Sequence, residues 1–524
     1  MAVARKQPAS VGPAMSLSPV VAEGKRISRI VFIALLLDIL SFTIILPLLP
    51  RSLEAYKARE GNDSNTLLGW VLHSVSMLRQ LILANAGTRA SRFLQQGARA
   101  DLVLLGGLLG SVYSLLQCIV APIIGRAADR FGRRRTLMFC MLGNVVWTVI
   151  WVFSASFESF LVARIIAGLS EGNVQISTTI IADVTDARGR SHGMALVGIA
   201  FAVGFTLGPS IGAYFSRMDL DSLSSSSTAF GYAPFATAAV FSLALLLTES
   251  LYLYAKLPET LDFRIKRSRQ PIDSSDTLVE VPLDEEPRRD SVTPETPSSS
   301  FSGDRAKQVL RRLNCVHFAY LFFFSGMEYT LTFLTHDKFD FSNAQQGKLL
   351  GFIGIASTLL QGGYVRRVKG KSAHRDKSLV TQGMLGCTIG LVSIAVCCLA
   401  HESRARDAVD GHKAGQPSLW LWIGALGFAI ASATVVNCLN SMVSLVGAAE
   451  KSGEEGTGKR LGDFRSAGQI GRALGPMFAC SVYWLSGAVT CYLVGSVAVA
   501  AITILFVAMV PANTSSISSR EKQD

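Results

Sequence analysis

The sequence predicts an all-α integral membrane protein with about twelve spanning helices in two pseudo-symmetric bundles of six. Three observations lead there. Apolar residues make up 49% of the 524-residue chain and charged residues only 17%, with a mean hydropathy of +0.37. A soluble protein carries nearer a quarter charged residues. The apolar residues gather into runs of about 20, the length that crosses a hydrocarbon core as a helix. Short motifs of the first half return in the second, about six runs later.

The first run, 30–49, follows a polar stretch that holds Arg5, Lys6, Lys25, Arg26 and Arg29. It is too long for a signal-peptide core and no small-residue cleavage site follows, so it reads as an uncleaved anchor behind a cytoplasmic tail, 1–29. Runs at 103–124, 136–157, 160–182, 194–214 and 232–255 complete a first bundle, 30–257. Runs at 315–335, 349–368, 379–399, 419–443, 464–485 and 489–510 make a second, 313–511, before a tail at 512–524. Basic residues concentrate in alternate loops, 126–135, 188–190, 366–377 and 451–460, which places those loops and both termini in the cytoplasm. The long outer loop, 51–101, is basic as well, but long loops weigh little in that rule. Its segment 67–84 is apolar apart from His73 and Arg79, and reads as an amphipathic helix on the outer surface or as an additional span. Asn62 heads an Asn-Asp-Ser glycosylation sequon there, usable if the loop is luminal. The linker 258–312 is basic at both ends and rich in Ser, Thr, Pro and acid between, so it is expected to be mostly disordered, with its ends on anionic lipid. Thr293 and Thr296 each precede Pro, a common dipeptide that carries little weight as a phosphorylation signal.

Several function classes drop out. The formal charge of +12 does not point to nucleic acid, because Lys and Arg sit in short loops beside apolar runs. The nine Cys fall within or beside apolar runs and give neither a disulfide framework nor a metal spacing, so no metal and no cofactor is expected. A metal-binding His pair and a phosphate-binding loop are missing from the sequence, which speaks against an enzyme.

Two glycine patterns stand out. Gly125-Arg126-Ala127-Ala128-Asp129-Arg130-Phe131-Gly132-Arg133-Arg134-Arg135 joins the second and third runs. A topology signal needs base, but it needs neither an Asp nor bracketing glycines; Gly125, Asp129, Arg130, Gly132, Arg133 and Arg134 therefore read as a conformational latch, with plain topology as the other reading. Gly204, Gly208 and Gly212 recur every four residues in the fifth run, with Pro209 beside them, and Gly475-Pro476 echoes them in the eleventh. Small residues on one helical face allow close approach, and Pro removes a backbone hydrogen bond. The stripe reads either as plain helix packing or as a pliable contact at the joint between the halves.

Charges at membrane depth are functional candidates, because they cost several kcal/mol unless paired or wet. Asp38 lies about eight residues into the first run, roughly 12 Å deep. Glu171 falls mid-way along the fourth, Glu328 in the outer half of the seventh, and Arg164 and Arg472 are interior cations, one in each half. Arg164 with Asp38 or Glu171 forms either a buried structural pair or part of a proton-coupling device, with Asp38, Glu171 or Glu328 as carrier. Arg164 and Arg472 together suit a carboxylate or sulfate, which Arg holds with a planar fork. Arg465 is placed near a helix entrance, and His317 and Glu249 near interfaces in structural roles. Phe42, Tyr113, Trp147, Phe324 and Tyr329 are candidate apolar walls.

These motifs resemble the major facilitator superfamily. The basic turn resembles the signature between its second and third helices, Arg164-x-x-x-Gly168 its fourth-helix motif, and Gly204-x-x-x-Gly208-Pro209-x-x-Gly212 the fifth-helix motif of its antiporters. Pro258-Glu259-Thr260 resembles the end of the sixth helix, and Leu37-Asp38, Phe42, Pro47 and Pro50 resemble the first helix of the tetracycline-exporter branch. The resemblance implies a secondary active transporter of an organic anion or drug-like compound, working by alternating access and coupled to a proton or counter-anion, with proton-coupled efflux as one mode. It also implies that Asp129 faces the N-terminus of the eleventh helix and that Arg130, Arg133 and Arg134 pair with acids on neighbouring helices. The expected partners are a small-molecule substrate and the bilayer, with no nucleic acid, in a monomer of the plasma membrane or an endomembrane. The alternative is a non-transporting receptor or scaffold that keeps the fold and uses the linker for partners.

Overall fold

The computed structural model describes residues 19–45, 48–61, 63, 65–85, 97–185, 189–215, 232–261, 300–339, 341, 343–365, 367–368, 372–407, 419–449 and 456–510. Asn62 of the sequon, Pro47, Arg188, linker residues 262–299 with both Thr-Pro pairs, and the two chain ends lie outside them. Among the described residues every regular element is a helix. The first half holds α1 (Pro19–Thr43), α2 (Leu49–Glu60), α3 (Leu67–Asn85), α4 (Gly97–Phe131), α5 (Arg133–Val152), α6 (Phe157–Ser170), α7 (Asn173–Val184), α8 (Arg190–Phe215) and α9 (Ala236–Lys256). The second holds α10 (Ser300–Asp337), α11 (Asn343–Leu359) continued by a π-helical turn (Leu360–Val365), α12 (Ser372–Asp407), α13 (Leu419–Ala449), α14 (Thr457–Ser486) and α15 (Ala488–Met509).

Among the described residues seven helices, α4, α5, α8, α9, α12, α13 and α15, are long and apolar enough by themselves to cross a membrane. The other expected spans fall short for legible reasons. The helices α1, α10 and α14 carry clusters of charge. The α11 helix stops at 17 residues where the π-helical turn begins. The fourth span is not one helix: it breaks at Glu171-Gly172 into α6 and α7, of 14 and 12 residues. Large apolar side chains are bare on the outer walls, with Phe139 77% and Leu251 70% exposed, as a lipid-facing surface requires.

Two further expectations are corrected, and the outer loop takes the amphipathic form expected for 67–84. The basic turn is barely a turn: α4 runs on through Phe131 and α5 starts at Arg133, so Gly132 alone makes the link, at φ 99°. That backbone disfavours any residue with a Cβ, and a Cβ there would lie 2.5 Å from a Glu259 carboxylate oxygen. That carboxylate accepts the first backbone N–H groups of α5, from Arg133 at 2.8 Å and Arg134 at 3.2 Å, and so caps the helix. The linker was expected to be disordered through residue 312, yet α10 begins at Ser300, because Val309 and Leu313 recur on one face and are buried. The outer loop folds into α2 and α3. Tyr56 of α2 is fully buried, and its hydroxyl lies 2.7 Å from the Ser154 carbonyl, to which it donates. Burial pushes the Tyr56 phenol up to about 12. Glu60 accepts the Phe157 N–H at 3.2 Å and caps α6. In α3, Leu68 and Leu72 face inward one turn apart while Trp70, His73 and Met77 are exposed, the amphipathic pattern.

The two halves meet along an antiparallel seam between α4 and α14. Gly125 lies against Gly458, Ala121 against Gly462, Cys118 against Ser466 and Ser111 against Ala473. The pairs step along the two helices in opposite directions, three, four or seven residues at a time, as ridges of small residues do when backbones touch. A Cβ on Gly458 would stand 2.5 Å from the Gly125 carbonyl, and one on Gly462 2.6 Å from that of Ala121. A second inter-half contact sets α8 against α11 and α13, where Gly354 meets Thr206 and Gly198 meets Asn437 and Gln361. The Gly204, Gly208, Gly212 stripe lies elsewhere. Its glycines face Ile39, Thr43 and the Ile44 carbonyl of the α1 segment, within the first half. The reading of that stripe as a joint between halves is therefore corrected, because the face of α8 toward the second half is the one with Gly198, Ala202 and Thr206. Its counterpart in the second half packs α14 on α10, with Gly468, Gly471 and Gly475 against His317, Phe318 and Phe322. Pro209 and Pro476 sit inside helices that continue through them.

Candidate functional site

At the basic end of the seam the Asp129 carboxylate receives the first turn of α14. Gly458 N–H donates to Oδ1 at 3.0 Å and Lys459 N–H to Oδ2 at 2.7 Å. An anion at a helix N-terminus meets unsatisfied N–H groups and the positive end of the dipole. These bonds cross between halves. Beneath them the Arg133 side chain, with none of its surface exposed, pairs with Asp129 at 2.8 Å and with Asp183 of α7 at 2.9 Å. Among the described residues Arg134 has no acidic partner. It donates to the Tyr254 carbonyl at 2.7 Å and lies over that residue's ring. Arg130 lies over the ring of its neighbour Phe131, with the guanidinium 5.4 Å from the centroid. The acid expected for each of these two arginines is thus replaced by carbonyl and aromatic partners. Arg190 makes a further inter-half contact at the same end. It donates to the Ala182 carbonyl of α7 at 2.7 Å and to the Ser444 carbonyl of α13 at 3.0 Å.

Deeper in the first half, the break between α6 and α7 exposes helix ends inside the bundle, as broken spans do where they form binding sites. Glu171 sits at the break with φ −73° and ψ 80°, outside helical geometry. Gly172 allows the chain to pass, since a Cβ there would press on Cys140 and Ile124. The Glu171 carboxylate reaches across the seam to Arg465 of α14, Oε1 to Nη2 at 3.6 Å. Its other oxygen accepts the Tyr113 hydroxyl at 3.4 Å. Arg164 does not pair with Asp38 or Glu171. It lies over the Tyr113 ring, 4.7 Å from the centroid, and its Nε and Nη1 are buried with no hydrogen-bond partner. Arg465 Nε is in the same state. Asp38 takes the Asn173 amide at 2.9 Å. Asp38, Ser41, Phe42, Asn144, Trp147, Glu171 and Leu246 line a small cavity of about 10 Å³, room for about one water. Phe42 stacks on Tyr113 with centroids 5.8 Å apart. Glu249 of α9 is buried within electrostatic reach of Asp38 and Glu171, so it belongs to this cluster and not to an interface.

The sequence-predicted residues thus separate into two groups. Asp38, Arg164 and Glu171 come together with Tyr113, Phe42 and Trp147. Glu328 and Arg472 form another group: both are solvent-exposed, and the guanidinium acts on the carboxyl from α14 across to α10. Arg472 does not face Arg164 as a second arm of one clamp. The arginine that does approach from the second half is Arg465. His317 is fully enclosed, with its ring stacked 3.9 Å from the Phe464 ring and Nδ1 2.9 Å from the Phe464 carbonyl. Among the described residues no cluster of His, Cys, Asp and Glu could hold a metal ion.

Comparison with known proteins agrees with this architecture. The model of the Major Facilitator Superfamily matches residues 31–476. The chain is 36% identical over 484 residues to the mouse major facilitator superfamily domain-containing protein 10, which covers 92% of this chain and 93% of that protein. The crystal structure of the human organic anion transporter MFSD10 (TETRAN) superposes with a TM-score of 0.68 at 32% identity, over 92% of this chain and 99% of that one. A tetracycline resistance protein, class H, of Pasteurella multocida is 34% identical over 106 residues, 20% of this chain and 26% of that protein.

Proposed function

The chain belongs to the major facilitator superfamily of transporters, and from that premise we propose that it is a secondary active carrier of small organic anions that works by alternating access. A proton or counter-anion gradient drives it, and both termini lie in the cytoplasm of a monomer. One observation carries the reading. Arg465 of the second half meets Glu171 of the first across the interface, beside the buried and incompletely bonded Arg164. A guanidinium with free donor capacity at the boundary of the halves, with a second buried behind Tyr113, suits a carboxylate or sulfate. A site on that boundary can face either side in turn as the halves rock. The named activity of the human relative, organic anion transport, points the same way.

The test is flux. The full chain, reconstituted in liposomes, is offered radiolabelled aromatic carboxylates and sulfates under an imposed pH gradient. Uptake that saturates and falls at least tenfold in Arg465→Gln supports the proposal. Binding without flux across the panel, or flux confined to organic cations and sugars, overturns it.

A further inference from the structure

The arrangement around Glu171 contains its own substitute for a substrate. A carboxylate already occupies the cross-half arginine, and it is supplied by the protein. Glu171 Oε1 stands 3.6 Å from Arg465 Nη2, a separation that leaves the contact loose, while Tyr113 holds the other oxygen at 3.4 Å. Glu171 lies at the helix break, where φ and ψ are free of helical constraint, and it lines the cavity shared with Asp38. It can therefore swing away without unwinding a helix. Arg465 Nε and Arg164 Nε and Nη1 are buried without partners, so the site has donor capacity that Glu171 does not fill.

We propose that Glu171 is the coupling residue and that it makes the carrier a one-to-one proton and organic-anion symporter. While ionised, Glu171 neutralises Arg465 and excludes an external anion. A proton from solvent adds to a Glu171 carboxylate oxygen and forms the neutral acid, which releases Arg465. The substrate carboxylate then takes the place of Glu171 on Arg465, next to the cavity lined by Phe42 and Trp147. The proton and the anion load together, and the net charge of the site is the same as before. After the halves rock, the anion leaves, Glu171 returns the proton to solvent and pairs with Arg465 again. An exchange in which a proton and an anion move in opposite directions does not fit this geometry, because a bound anion and an ionised Glu171 compete for one guanidinium. The charged and titratable groups facing Glu171 are Asp38 of α1, Tyr113 of α4, Cys140 of α5, Arg164 of α6, Glu249 of α9 and Arg465 of α14. Asp38 and Glu249 share the cluster, so each is a control for the assignment.

This inference rests on the organic-anion reading above, and the experiment separates the two. Liposomes holding the full chain take up radiolabelled p-aminohippurate, a monovalent aromatic carboxylate. With the interior one pH unit more alkaline, electroneutral one-to-one symport accumulates the anion about tenfold, and a potassium diffusion potential leaves that ratio unchanged. Glu171→Gln is expected to bring the accumulation ratio down to about one, while its exchange of internal for external p-aminohippurate no longer varies with pH. Gradient-driven accumulation in Glu171→Gln equal to that of the unmodified chain overturns the assignment. Accumulation by the unmodified chain that follows the membrane potential, or that requires an alkaline exterior, overturns the symport. As a readout independent of flux, thermal stabilisation of the purified protein by p-aminohippurate is expected to weaken with rising pH in the unmodified chain and to be pH-independent in Glu171→Gln; the same pH dependence in both overturns the inference. Absence of both uptake and exchange of every anion by the unmodified chain removes the carrier reading itself.

Discussion

Replacing Asp129 by Ala should open the basic end of the seam. In this structure Asp129 accepts Gly458 N–H at 3.0 Å and Lys459 N–H at 2.7 Å, both from the opposite half. Hydrogen bonds to a charged group contribute about 1.5–3 kcal/mol each. The carboxylate is 18% exposed, so the lower figure applies and the two bonds together are worth roughly 3 kcal/mol. The 2.8 Å pair with Arg133 lies within the first half and survives when the halves part, so it drops out of the difference between states. Roughly 3 kcal/mol is about a hundredfold in the ratio of closed to open. A population closed about 99 to 1 would become about even. Spin labels on Phe131→Cys of α4 and Lys307→Cys of α10, both exposed, report the separation of the halves once the exposed Cys315 is replaced by Ser. Pulsed dipolar spectroscopy should show a second, longer distance in Asp129→Ala, and a smaller share of it in Asp129→Asn, which keeps an acceptor oxygen but loses the charge. A distance distribution unchanged by Asp129→Ala would refute the latch and return the turn to a topology signal.

Other outcomes follow from the same coordinates. Asp183→Asn leaves the fully buried Arg133 short of one carboxylate, and should cost about 3 kcal/mol of stability, read as a lower thermal midpoint in detergent. Gly208→Leu drives a side chain into Thr43 and the Leu40 carbonyl, so it should reduce the yield of monodisperse protein sharply, whereas Gly110→Ala, with nothing within 4 Å of its Cβ, should not; equal yields would count against the α1 contact. Tyr56→Phe removes the bond to Ser154 and should loosen α2 by about 1 kcal/mol, seen as faster amide exchange in Leu49–Glu60. An undocked phenol ionises near 10 and the docked one at about 12, so docking keeps its full strength below pH 10 and weakens as the pH rises toward 12.

Features set by local pattern were readable from the chain. Run length located most of the long helices, and the four-residue glycine period marked a close helix contact, although not its partner. The partner depends on which face of α8 turns inward, and a stripe of small residues does not say whether α1 or the other half lies against it. Arg465 illustrates a sharper limit. With the eleventh span starting at 464, Arg465 looked like an entrance residue. The helix starts at Thr457, so Arg465 stands two turns inside it. A signal was present: Gly458, Gly462 and Ser466 continue the spacing of small residues beyond the apolar run, as a helix packed on a neighbour would. The break at Glu171-Gly172 had a weaker signal, a charged residue beside a glycine in an otherwise apolar run, which a continuous helix also tolerates. The helix α3 was legible as an amphipathic segment, whereas α2 was hidden because it carries no apolar run and is held by distant partners, Tyr56 on the Ser154 carbonyl and Glu60 on the Phe157 N–H.

The latch and the proposed coupling site belong to one rigid body. Gly458 and Arg465 are seven residues apart on α14, two turns, which is roughly 10 Å along one helical face. Both face the first half, Gly458 at Asp129 and Arg465 at Glu171. Between them Gly462 rests on Ala121 without a side chain to interlock, so that stretch of the seam offers little resistance to sliding. The charged ties between the halves along this seam are the Asp129 carboxylate at its basic end and Glu171 at its middle, beside the hydroxyl bonds of Ser466 and Ser111. Neutralising Glu171 removes one of them and leaves Asp129 to hold the basic end alone. Protonation without an anion leaves Arg465 charged and unpaired at depth, which costs several kcal/mol and holds the empty, protonated carrier back from rocking. That penalty, more than the attraction for substrate, is what would prevent a proton leak, and it predicts that Arg465→Gln conducts protons without substrate.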